Sequence, residues 1–227
     1  NGIVLPTFCD SHTHCVYAGS RELEFVDRIN GLSYEEIAQN GGGILNSAKL
    51  LSQISEEELY EQSKQRIHDL IKLGTGAIEI KSGYGLNMDD EIKMLKVIKR
   101  LKENLPIDVK STFLGAHAVP KSHSQEEYVD LVVNKMIPEI GKHNLADYID
   151  VFCDKGFFTP KETELILKTG LEYGLKGKIH ANELAFSGGI ETGVKMGAVS
   201  VDHLEYTATE QIDILLKSNT IPTLLPG

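Results

Sequence analysis

The chain has 227 residues, 41% hydrophobic and 25% charged, an ordinary balance for a soluble globular protein and a length that one large α/β domain can fill. Lys and Arg number 23 against 33 Asp and Glu, and the resulting net charge of −10 argues against a basic nucleic-acid-binding face. No apolar run reaches the roughly 18 residues that a membrane-spanning helix needs.

Cys9, Cys15 and Cys153 form no CxxC pair and are odd in number, which fits free thiols in a reducing cytoplasm. Their apolar neighbours predict buried, inert side chains. No signal peptide is visible. The sequence starts at Asn1 and runs at once into an apolar stretch, which reads as a fragment of a longer protein.

In chain order, Ile3-Val4-Leu5-Pro6-Thr7-Phe8-Cys9 reads as a strand, followed by Asp10-Ser11-His12-Thr13-His14. Ser55-Glu56-Glu57-Glu58 is a capping box that opens a helix carrying Leu59, Ile67, Leu70 and Ile71 at helical spacing. Gly74 stops it, and Ala77 to Lys81 follows as a strand. An amphipathic helix from about Met88 runs to Leu105, Pro106 breaks it, and Val109 to Leu114 is the third strand.

Ser124-Gln125-Glu126-Glu127 caps a helix running towards Ile140, and Tyr148 to Phe152 is a strand. Thr159-Pro160 opens the next helix with proline at its favoured first position. Strands near Lys178-Ile179, at Ala198 to Val201 and near Thr220 to Leu225 complete the pattern, the last two separated by a helix from Thr209 to Lys217. Strands alternating with helices imply parallel pairing. The two candidate architectures are a (β/α)8 barrel lacking its eighth strand and a doubly wound sheet. The absence of a GxGxxG turn favours the barrel.

Polar residues stand directly behind these strands: His12 and His14, then Lys81 to Gly85, then His117, Cys153-Asp154, His180 to Glu183, and Asp202 to Glu205. In a barrel the C-terminal strand ends meet at one mouth, so five of the eight histidines converge there. The other three, His68, His123 and His143, fall on helices or their flanks. Residues i and i+2 of an extended chain point the same way, so His12 and His14 can face one ion, with His180 as third ligand. Such a three-ligand set leaves a position for water, whose pKa a metal lowers from 15.7 to about 7. Glu183 is then placed to move protons. Arg21 suits a substrate carboxylate as well as a surface ion pair, and Tyr84 between two glycines is either a presented hydroxyl or a packed ring. Gly41-Gly42-Gly43 lacks the GK[ST] of a phosphate cradle and reads as a flexible loop.

FCDSHTH resembles the opening metal motif of the amidohydrolase superfamily. The longer strings DSHTHCVYAGSRELEF, GLSYEEIAQNGGGI, IEIKSGYGL, TFLGAHAVP, DVFCDKGFF, IHANEL and VDHLEYT resemble the imidazolonepropionases over residues 3 to 227. The resemblance implies a TIM-type metal-dependent hydrolase that opens the ring of 4-imidazolone-5-propanoate to N-formimidoyl-L-glutamate in histidine degradation, in the cytoplasm and as a homodimer. It implies His12, His14 and His180 as ligands of Zn2+ or Fe, and Arg21, Tyr34, Tyr84 and His117 as the grip on the carboxylated substrate. Glu183 would contact the ring and shuttle protons, and His203 would polarise the carbonyl.

The sequence departs from that family in two respects. The fourth ligand, an aspartate ending an eighth strand, has no counterpart here, and neither Asp154 nor Asp202 replaces it. The small β-sandwich of the family is absent too. The expectation is therefore a catalytic barrel domain over 1–227 that binds metal poorly by itself. The rivals are a guanine- or cytosine-type deaminase, which would not need the cationic Arg21, and a non-catalytic barrel.

Overall fold

Each apolar run between a helix stop and the next helix cap becomes a strand, and each strand pairs with the one before it. The computed structural model describes residues 2–32, 36 and 42–225. Its strands are β1 (Phe8–Thr13), β2 (Thr75–Lys81), β3 (Asp108–Ala116), β4 (Tyr148–Cys153), β5 (Lys176–Ala181), β6 (Ser200–His203) and β7 (Ile221–Leu224). They form one parallel sheet in the order β1-β2-β3-β4-β5-β6-β7. A doubly wound sheet reverses its strand order at a switch point, and this one never does.

The sheet instead curls into a nearly closed barrel. His12 Nδ1 on β1 comes within 2.7 Å of Asp202 Oδ2 on β6, and Lys178 Nζ on β5 within 3.3 Å of the Ser11 carbonyl. The core lies between the strands and the helices wrapped around them. Helix α4 (Met88–Asn104), which follows α1 (Glu22–Ile29), α2 (Ile44–Gln53) and α3 (Glu56–Lys72), turns Met94, Leu95, Val97, Ile98 and Leu101 inward. Burying a side chain of that kind contributes about 1.5–3 kcal/mol. After β3 come α5 (Gln125–Leu131) and α6 (Ile137–Lys142), and α7 (Pro160–Glu172), α8 (Gly189–Lys195) and α9 (Thr209–Leu216) separate the later strands.

Several local expectations change. The first strand begins at Phe8, not Ile3. Its ladder starts opposite Thr75, the first residue of β2, so Ile3, Val4 and Leu5 have no partner strand and stay exposed. The strand therefore includes His12, with His14 just beyond its end. Helices α1, α2 and α8 are short segments that the periodicity did not announce. The helix expected from Ser124 to Ile140 is interrupted by a π turn over Val132–Met136, just before Pro138, which lacks an N–H and crowds the carbonyl four residues back. Ser55 accepts the Glu58 N–H at 3.2 Å but forms only that half of a capping box, whereas Ser124 and Thr159 complete both arms.

Gly41 lies outside the described residues. Gly43, at φ +78°, is the cap of α2 and gives its N–H to Glu24 Oε1 at 3.0 Å. Of the thiols, only Cys153 is buried as expected, its pKa pushed up to about 11 by burial; Cys15 is half-buried and Cys9 is exposed on the outermost strand.

Candidate metal centre and active site

The three ligand candidates meet as their positions require. One ligand atom from each of His12, His14 and His180 lies within 4.8 Å of the others. The His12 ring centroid is 4.6 Å from that of His180 and 5.4 Å from that of His14. His14 Nδ1 and His180 Nε2 are buried with no hydrogen-bond partner, an orphaned state that a shared cation would relieve. Burial lowers the pKa of all three rings, furthest for His14 and His180, so they stand neutral with lone pairs available. Donor type, spacing and charge state all fit a divalent metal ion.

Two aspartates lie behind these rings. Asp202 Oδ2 is 2.7 Å from His12 Nδ1, which leaves His12 Nε2 for the cavity. Asp150 Oδ2 is 3.0 Å from His180 Nδ1, without the alignment of a hydrogen bond, while Asp150 Oδ1 accepts the His180 backbone N–H at 3.1 Å. Carboxylates in this place fix ring orientation and raise ligand basicity.

Below them sits Lys81, wholly buried, its Nζ 2.7 Å from Asp150 Oδ2, 2.9 Å from Glu79 Oε1 and 3.8 Å from Asp202 Oδ2. Thr112 Oγ1 donates to Glu79, and Lys178 Nζ reaches Asp202 at 3.2 Å. The barrel axis thus carries three carboxylates and two ammonium groups that compensate one another out of water.

The remaining candidates form the rim. All eight of the expected residues that are described, His12, His14, Arg21, Tyr84, His117, His180, Glu183 and His203, line one cavity of about 350 Å3. Tyr34 lies outside the described residues. Phe152, Phe157 and Ile44 add apolar wall. His117 Nδ1 is 2.9 Å from the Gly83 carbonyl, which makes Nδ1 the donor and turns Nε2 to the cavity; burial lowers its pKa to about 4. His203 Nδ1 is 3.4 Å from Glu183 Oε2, and burial raises the Glu183 carboxyl above its ordinary range. Arg21 Nε pairs with Glu24 at 2.8 Å on the half-exposed rim. Asn182, His203 and Leu204 take φ of +56°, +84° and +72°, left-handed backbone that costs non-glycine residues energy and gathers at functional sites.

No family model matches the chain. Curated relatives do. It is 58% identical over 227 residues to an imidazolonepropionase of Flavobacterium johnsoniae, a match spanning 99% of this chain and 55% of the relative. An imidazolonepropionase of Aliivibrio fischeri is 46% identical over 229 residues, spanning 100% of the chain and 56% of the relative. Over almost its whole length the chain is similar to imidazolonepropionases. It spans about half the length of the curated relatives it matches.

Solved structures share the fold at low identity. A 5-methylcytosine deaminase from Klebsiella pneumoniae, liganded with phosphonocytosine, matches with a TM-score of 0.72 at 15% identity over 96% of this chain and 53% of its own. An adenine deaminase from Arthrobacter aurescens matches with a TM-score of 0.64 at 16% identity over 97% and 72%.

Sequence reasoning missed Asp150 and Glu79, and it gave Lys81 and Asp202 no role, although the structure sets all four behind the histidines. Each had a signal, because a charged residue inside an otherwise apolar strand is informative. Asp150 interrupts Tyr-Ile-Asp-Val-Phe, and Glu79 and Lys81 stand two apart on one face of β2. Asp154 accepts the N–H groups of Lys155 and Leu184 at 2.7 and 2.8 Å, so it fastens two loops and does not touch the histidines.

Proposed function

We propose that this protein hydrolyses the ring of 4-imidazolone-5-propanoate to N-formimidoyl-L-glutamate, a step of histidine degradation, with Zn2+ or Fe held by His12, His14 and His180. The observation that carries the reading is the convergence of eight expected residues on one cavity in a chain whose relatives bear the imidazolonepropionase name. A cytoplasmic setting and a homodimeric state go with it and rest on the resemblance alone. A deaminase is less favoured: those neighbours share only the fold at 15–16% identity, and a neutral base needs no guanidinium such as that of Arg21.

A bound ion would supply Lewis acidity and an acidified water. The chain's own residues do the rest. Arg21 forks onto the propionate carboxylate, and the Tyr84 hydroxyl and His117 Nε2 hold the ligand's polar edge. Hydrolysis joins the water oxygen to the ring carbonyl carbon and breaks the carbonyl C–N bond, and the departing nitrogen leaves with a proton. Glu183, with its raised pKa, takes the proton from one side of this exchange and returns it to the other. His203 hydrogen-bonds the carbonyl oxygen as charge builds on it.

The test, made on the full-length protein, follows loss of the imidazolone chromophore with and without a chelator and identifies the product. Metal-dependent loss that yields N-formimidoyl-L-glutamate supports the proposal. No turnover by protein loaded with metal would refute it.

A further inference from the structure

Among the described residues and outside the groups already given a task, one ionisable side chain is wholly buried and placed to act on the cavity: Glu91, in the first turn of α4. The loop from β2 to α4, Ser82-Gly83-Tyr84-Gly85-Leu86, wraps around its carboxylate. Oε1 accepts the N–H groups of Gly85 at 2.7 Å, Leu86 at 3.1 Å and Gly83 at 3.2 Å, and Oε2 accepts Gly83 again at 3.1 Å. The Ser82 hydroxyl receives the Leu114 N–H at 3.0 Å, tying the loop to β3.

This wrapping explains both glycines of the KSGYGL string. A Cβ on Gly85 would stand 2.4 Å from the Glu91 nitrogen, and one on Gly83 would stand 2.9 Å from His117 Nδ1, at a φ of +109°. The loop then delivers two things to the cavity. Tyr84 comes within 5.5 Å of the His14 and His117 rings, centroid to centroid, and the Gly83 carbonyl accepts a hydrogen bond from His117 Nδ1–H. The residue between the two glycines is therefore aimed by a side chain that never reaches the cavity itself.

We infer that Glu91 is a positioning residue: its buried carboxylate sets loop 82–86 and, through Gly83, the tautomer and aim of His117, and so tunes binding of a carboxylated imidazolone-class ligand. The inference rests on the substrate reading proposed above. Glu91→Gln isolates it. The amide oxygen can keep the Gly85 and Leu86 bonds, but the amide NH2 would face the Gly83 N–H, donor against donor, and it disturbs the very residue that holds His117.

The experiment compares wild type and Glu91→Gln as full chains loaded with zinc. It measures zinc content, KM and kcat for the imidazolone, and the long-range 15N–1H spectrum of the histidine rings. Expected are unchanged zinc content, KM raised about tenfold as for a lost charge-assisted hydrogen bond, kcat within about twofold, and loss of the fixed Nδ1–H pattern of His117. In a His117→Asn background, Glu91→Gln should add little further to KM. A folded Glu91→Gln that keeps both the His117 pattern and the wild-type KM would overturn the inference. Should Glu91→Gln not fold, Glu91→Asp, which withdraws the charge by one methylene, decides by the same spectrum. Failure of the substrate reading would show separately, as wild type that does not turn over while the His117 spectrum still reports on Glu91.

Discussion

Lys81→Met tests the buried charge network directly. The substitution keeps the length of the side chain and removes the one ammonium within 3 Å of both Glu79 and Asp150, which also stands 3.8 Å from Asp202. Lys178, 3.2 Å from Asp202, would still pair with that carboxylate, but Glu79 and Asp150 would lose their ammonium partner. Removing one partner of a buried ion pair costs about 3–5 kcal/mol, because the other charge remains out of water. For a chain of 227 residues each kcal/mol shifts the melting temperature by roughly 2–4 °C, so Tm should fall by about 6–20 °C at pH 7.

The pH dependence has a definite sign. Burial alone would raise Asp150 and Asp202, but His180 and Lys81 around the first, and the His12 bond with Lys81 and Lys178 around the second, hold both below the ordinary carboxylate range. A depressed carboxylate contributes stability that is present above its unfolded pKa, about 3.9, and is lost as pH falls through the folded one. Without Lys81 the cluster takes up protons more readily. The deficit of the variant is therefore largest near neutrality and narrows on acidification. Thermal unfolding of chelator-treated wild type, Lys81→Met and the exposed control Lys99→Met, read by circular dichroism at pH 7 and pH 5, measures this. The control should stay within about 0.5 kcal/mol. A Lys81→Met drop under about 2 °C, or a deficit that grows towards pH 5, would refute the reasoning.

On the proposed ligand set, Asp202→Asn and Asp150→Asn should each weaken metal binding by about 10–100-fold in chelator competition, since each carboxylate stands behind one of the proposed ligand rings; unchanged affinity would deny them that task. In alkylation at pH 8, Cys9 should be labelled in the native protein, whereas Cys153, buried and with a pKa of about 11, should be labelled only after unfolding in urea, as peptide mass spectrometry will read. If Glu183 moves the proton as proposed, the acid limb of kcat/KM should lie above the ordinary glutamate value of about 4.3, because burial makes the carboxyl gain its proton at higher pH. Persistence of that limb in Glu183→Gln would assign it to another group.

How the mouth of the barrel could be read from the chain is clear from particular residues. The rhythm of apolar runs, caps and glycine stops is local, and local rules place a parallel α/β order and put His12, His14, His117, His180 and His203 at the ends of β1, β3, β5 and β6. The i, i+2 spacing of His12 and His14 survives even though the strand starts five residues later than the apolar run implies, since period-two geometry does not depend on where pairing begins. Where pairing begins is not local: Phe8 is first in the ladder only because Thr75 is the first residue of β2 to receive it.

The sequence by itself thus determined the fold class, the gathering of three histidines and the likeness to imidazolonepropionases, because each rests on short-range spacing or on strings of contiguous residues. The tertiary structure alone decided what stands behind those histidines. Asp202 meets His12 across 190 positions and Lys81 meets Asp150 across 69, contacts that exist only once the sheet has curled. In the linear chain each of these is one more charged residue in a strand, because a charge is committed to a partner by burial, and burial is a property of the closed barrel.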